Sequence, residues 1–106
     1  MKTVTPLPES VERAVRAMCE DYERRAAEIR RGALSAEVLA HYTLLNAAID
    51  RAISECCEDG IRLEMRRDIG NGRGYHFSQL YFLAEGTYKD RKRKCKHAVA
   101  KALHLI

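Results

Sequence analysis

No run of apolar residues in this chain approaches the length needed to span a membrane, which argues against a transmembrane protein. The stretch from Met1 to Ser10 lacks the apolar segment of a secretory signal, so the cytoplasm is the expected compartment. The four cysteines, Cys19, Cys56, Cys57 and Cys95, form no pair of CxxC knuckles and lack the density of a disulfide scaffold. They read as reduced thiols. A zinc site would have to gather Cys56 or Cys57 with Cys95 and a distant histidine such as His76 or His97, with no local motif behind it. Neither a metal nor any other cofactor is expected.

Catalytic signatures are lacking too. His41, His76, His97 and His104 have no Ser, Cys or carboxylate arranged around them in a recognisable motif, and His41 reads as a structural partner of Glu37 at i, i+4. The acids Glu58, Asp59, Glu64 and Asp68 have no EF-hand order and read as solvated charges. The glycines of Gly70-Asn71-Gly72-Arg73-Gly74 are not followed by Lys-Ser/Thr, so a connector is expected there and not a phosphate cradle. RRM and KH signatures are absent, and the aromatic residues read as core, which disfavours RNA. An enzyme is not expected.

What is present is charge, unevenly placed. A chain of 106 residues suits a single domain, here taken as 1–106, and 32% of its residues are charged. Residues 1–60 carry a formal charge of −3 and residues 61–106 carry +7. Lys89 to Lys96 holds six basic residues and one acid, Asp90. Such a split points the C-terminal half towards a polyanion.

The periodicity predicts an all-α fold, with an antiparallel helical pair over 10–60 as scaffold and a helix-turn-helix over 61–106. The first helix starts near Ser10, after Pro6 and Pro8. Its face is Val11, Val15, Met18, Tyr22, Ala26 and Ile29, and Gly32 stops it. Ser35 is the predicted N-cap of a second helix carrying Val38, Tyr42, Leu45, Ile49, Ala52 and Cys56 at heptad-like spacing. That spacing serves an intramolecular hairpin and a homodimer seam equally well, and whether Gly60 ends the helix is open. A short helix with Ile61, Met65 and Ile69 follows, then the glycine loop. Tyr75 to Ala84 reads as a short buried helix.

Glu85-Gly86 then reads as a tight turn, and Thr87-Tyr88-Lys89-Asp90 fits a capping box that starts the last helix at Thr87. Tyr88, Cys95, Val99, Ala102, Leu103 and Ile106 form its apolar stripe. Asp90, Arg93, Lys94, His97 and Lys101 point away from the stripe, Lys89 and Lys96 flank it, and Arg91 and Lys92 lie near or within it. A capped basic helix behind a short helix and a turn is the helix-turn-helix order, which predicts double-stranded DNA as partner. The expected contacts are Thr87, Lys89, Asp90, Arg91, Lys92, Arg93, Lys94, Lys96 and His97. The alternative is a helical adaptor or oligomerisation module that does not bind DNA specifically.

From Gly74-Tyr75 to Ile106 the chain resembles the C-terminal part of phage-encoded transcriptional regulators of the RinA and ArpU type. The matching residues are Thr87-Tyr88, the basic run Lys89 to Lys96, and Ala100 to Ile106. The resemblance implies a helix-turn-helix similar to region 4 of sigma factors, with Thr87 as cap and Tyr88 packed inward. It further implies that Lys89, Asp90, Arg93 and Lys94 face DNA, and that the protein controls phage late genes, with contact to RNA polymerase left open. Gly86 stands where that family has Ser or Arg, and Gly70 to Gly74 has no counterpart in it.

Overall fold

A computed structural model describes residues 6–80 and 82–106, and among these the chain is helical with no strand. Five helices follow one another: α1 (Glu9–Glu20), α2 (Tyr22–Arg31), α3 (Ala36–Cys56), α4 (Arg62–Asn71) and α5 (Glu85–Ala102). Two 3-10 turns, Asp59–Ile61 and Tyr75–Phe77, precede α4 and interrupt the stretch before α5. No helix is long and apolar enough to cross a membrane among the described residues.

The single first helix expected from Ser10 to Arg31 is divided at Asp21. The cause is Arg25. Its guanidinium is buried, at 2% exposure, and donates to the Met18 carbonyl at 2.6 Å, to Asn46 Oδ1 at 2.8 Å and to Asp21 at 3.2 Å. A carbonyl at the end of α1 is thereby satisfied by a side chain and not by the next turn of helix. The two halves then pack differently, α1 against α4 and α2 against α3. The α2–α3 pair runs antiparallel, as Tyr22 with Asp50 (2.8 Å) and Arg24 with Tyr42 (3.3 Å) show.

Ser35 caps α3 through its hydroxyl, which accepts from the Val38 amide at 3.3 Å. Of the apolar seam of α3, Ile49 and Ala52 are buried, Tyr42, Leu45 and Cys56 are half-buried and Val38 is 37% exposed, while Ile53, outside the expected seam, is buried too. Cys57 adopts an extended conformation and ends the helix before Gly60 is reached. α4 then supplies Met65 and Ile69 to the core, where they join Val15 and Cys19 of α1, Ile49 and Ile53 of α3, and Tyr88, Cys95 and Val99 of α5.

Gly70 does not belong to the predicted loop but to α4. A Cβ there would lie 2.8 Å from the Glu20 amide nitrogen, so the close approach of α1 and α4 needs this glycine. Gly72 ends α4 in the left-handed conformation, φ +71°.

The buried helix expected over Tyr75 to Ala84 does not form. A 3-10 turn ends at Phe77, and the Ser78 hydroxyl accepts from the Leu80 amide at 3.0 Å while donating to the Tyr75 carbonyl at 3.1 Å. Such side-chain bonds compete with helical ones. Leu80 is buried, but Phe77 and Phe82 are 77% and 65% exposed, so these aromatics are not core. Tyr81 lies outside the described residues.

The start of α5 also differs from expectation. Glu85 and Gly86 are its first turn, Ala84 is the N-cap, and no side chain caps it, so Thr87 lies inside the helix and makes no capping box. Thr87 is one turn too late because Tyr88 already donates its amide to the Ala84 carbonyl at 2.9 Å. Among the described residues, what joins α4 to α5 is therefore an irregular connection with a 3-10 turn, not a short helix and a tight turn. Tyr88, Cys95 and Val99 are buried as the stripe requires. Ala102 and Ile106 are exposed, because α5 ends at Ala102 and the chain turns at His104, φ +58°. Ala100 is buried instead.

Candidate nucleic-acid interface

Lys89, Lys92, Arg93, Lys96 and His97 recur at steps of three and one, which places them along one face of α5. Together they line a groove of about 330 Å³ whose floor is Tyr75, Tyr88 and Leu7. Glu12, reaching in from α1, is the one acid in its lining. The remaining cations of the run, Arg91 and Lys94, do not line it.

The charges of α5 are largely engaged within the protein. Arg91 clasps both oxygens of Glu58 at 2.6 Å, on the side facing the end of α3. Lys94 pairs with Asp90 at 3.1 Å, Lys89 with Glu85 at 3.2 Å and Lys96 with Glu12 at 2.7 Å. The Lys96 ammonium holds the Glu12 carboxyl below its usual range, and the Arg91 guanidinium does the same for Glu58. Among the described residues, Arg93 makes no ion pair. Exposed pairs such as Lys89–Glu85 and Lys94–Asp90 are weak and exchange readily for another anion.

Lys92 is the exception in character. Its ammonium bonds the Arg73 carbonyl and lies 5.6 Å from the centre of the Tyr88 ring, and burial pushes its pKa down. It pins the 72–84 connection to α5 and is less available to a ligand than Arg93. Thr87 is exposed and His97 half-buried on the groove wall. Of the nine expected contacts, Lys89, Lys92, Arg93, Lys96 and His97 are brought together. Asp90, Arg91 and Lys94 lie outside that groove, with Asp90 and Lys94 satisfying one another.

Beneath the groove, the Tyr88 hydroxyl donates to Asp68 Oδ2 at 2.8 Å, and Asp68 is fully buried with Oδ1 unpartnered among the described residues. Burial, followed by the Asp68 carboxylate, pushes the Tyr88 phenol well above its usual range. Asp68 is thus not the solvated acid expected from the sequence. Its position three residues after Met65, on the apolar face of α4, is the available signal of burial. Nothing in the local sequence indicates that Glu12 closes the groove, since 84 residues separate it from Lys96.

The other acids of that set also have separate partners, Asp59 with Arg62 at 2.5 Å and Glu64 with Arg67 at 3.7 Å. Among the described residues, no group of three His, Cys, Asp or Glu side chains is placed to hold a metal ion. No family model, no curated protein and no solved structure matches this chain.

Proposed function

We propose that the chain is a DNA-binding transcriptional regulator of the phage type that residues 74–106 resemble, acting by binding without catalysis. The observation that carries this reading is the basic wall of Lys89, Lys92, Arg93, Lys96 and His97 along one groove, opposed by the single acid Glu12. A duplex backbone presents phosphates at regular spacing, and cations spaced along a rigid helix suit it. Thr87, Asp90 and Lys94 are exposed near the start of α5, where a helix end meets base edges in the major groove. The irregular 72–84 connection means that α5 docks without the tight turn of an ordinary helix-turn-helix. A regulator of this kind acts in the cytoplasm of a bacterial host, and contact with RNA polymerase belongs to the same proposal.

Selection of bound duplexes from a random pool tests the reading. The expected result is an enriched motif, whose symmetry reports whether one or two copies bind. Recovery of all duplexes alike, with binding lost equally for each as salt rises, would overturn it.

A second reading rests on α3. Val38, Leu39 and Leu44 are 37%, 40% and 70% exposed around its first half, apolar side chains that a helical adaptor or homodimer would cover. Sedimentation would show a stable oligomer indifferent to DNA if this reading held.

A further inference from the structure

A pair of thiols lies apart from the basic groove. Cys57, in extended backbone just after α3, and Cys95, in the middle of α5, place their sulfurs 3.2 Å apart although 38 residues separate them. Both are buried, at 5% and 0% exposure, and neither is bonded to another sulfur. We propose that Cys57 and Cys95 are a modification site, at which a hydroperoxide converts the two thiols into a disulfide that ties the end of α3 to the basic helix.

The two sulfurs have different roles. The two thiols share a hydrogen bond, and this bond together with the nearby Arg91 guanidinium holds the Cys57 thiol below its ordinary pKa. Cys95, facing Cys57 in the core, is pushed far up. Cys57, the less buried of the two and at the end of α3 rather than inside a helix, is the nucleophile. Its sulfur attacks one peroxide oxygen, the O–O bond breaks, and water or an alcohol leaves with the thiol proton, giving a sulfenic acid. The Cys95 sulfur then attacks Cys57 Sγ, the S–OH bond breaks, and the Cys95 proton leaves with the hydroxide as water. Two thiols are oxidised and one peroxide is reduced.

Geometry favours the second step. The sulfurs must close from 3.2 Å to a bond of about 2.05 Å, and Cys57 sits in non-helical backbone that can move by this amount without unwinding α3 or α5. The other two cysteines are less suited. Cys56 also reaches Cys95, but it lies within the last turn of α3 and burial raises its thiol; burial raises Cys19 to about 11, and Cys19 lies in α1 among the core residues.

The full chain, reduced and then treated with hydrogen peroxide, tests this by mass spectrometry and thermal unfolding. The expected product has lost two hydrogen atoms, and its peptide map joins Cys57 to Cys95. Its Tm is raised by about 10 °C or more, because the closed loop constrains the unfolded chain, and a dithiol reverses the rise. Cys56→Ser retains the product, whereas Cys95→Ser stops at the sulfenic acid on Cys57. A wild-type protein that stays folded and forms no intramolecular disulfide, or that joins Cys56 to Cys95 instead, overturns the proposal. The wild-type measurement decides this even if the Cys95 variant fails to fold.

Discussion

Tyr88 and Asp68 share a hydrogen bond of 2.8 Å in the core, between a helix whose outer face is basic and the one other helix of the C-terminal half. It is the one polar link between α4 and α5 among the buried side chains described, and it positions the floor of the groove.

Replacing Tyr88 with Phe strips Asp68 of its donor and leaves a buried carboxylate without a partner. A loss of about 1–3 kcal/mol of stability is expected in urea unfolding at neutral pH. The phenol also makes stability fall at high pH. The folded protein raises its pKa, the unfolded chain ionises at the ordinary 10.0, and so its stabilisation is whole below that value and declines as pH rises beyond it. The gap between wild type and Tyr88→Phe should therefore narrow above a pH of about 10, and a constant gap would contradict this.

Gly70 and Gly86 should respond to alanine in opposite directions. At Gly70 the added carbon meets the backbone of Glu20 and Cys19 within 3.0 Å, and backbone cannot swing aside as a side chain can. Separating α1 from α4 should cost about 1–3 kcal/mol. Gly86 lies in the first turn of α5 with nothing within 4 Å, so alanine there should stabilise by about 0.5 kcal/mol. Denaturation midpoints of the two variants measure both.

Asn46 and Arg25 form a buried pair between α3 and α2. Asn46→Leu leaves the Arg25 Nε without its acceptor and should cost about 2–3 kcal/mol. Combining it with Arg25→Met removes the unsatisfied charge and should recover part of the loss. A double-mutant cycle by chemical unfolding gives the coupling, and strict additivity would show that the pair carries none.

Within α5, cations that line the groove should matter differently from those that do not. Lys89→Ala and Arg93→Ala should each weaken duplex DNA binding and reduce the salt slope by about 0.9 for each phosphate no longer neutralised. Arg91→Ala should instead lower stability by releasing Glu58, with little change in that slope. Fluorescence titrations across a salt series separate the two, and an equal effect of all three would show that the groove is not where DNA binds.

The linear order of apolar residues determined that this chain is helical, where Ser35 and Gly32 bound helices, and that Tyr88, Cys95 and Val99 face inward on α5. These are local matters: a 3.6-residue period, a hydroxyl at an N-cap and a glycine at positive φ act within a few residues of themselves. Tertiary contacts decided the rest. Arg25 breaks the first helix because its acceptors lie both in the preceding turn and on α3, at Asn46. Tyr75 to Ala84 is dense in aromatic residues, yet Ser78 turns it away from helix and leaves Phe77 and Phe82 outside the core. The basic run of α5, continuous in the sequence, is divided by its neighbours. Glu58 and Asp90 engage Arg91 and Lys94 away from the groove, Glu12 engages Lys96 at its edge, and Arg93 is left without an ion pair among the described residues. Charge in a sequence is additive, but charge offered to a partner depends on which acids folding brings within a few ångströms, and only the packed chain determines that.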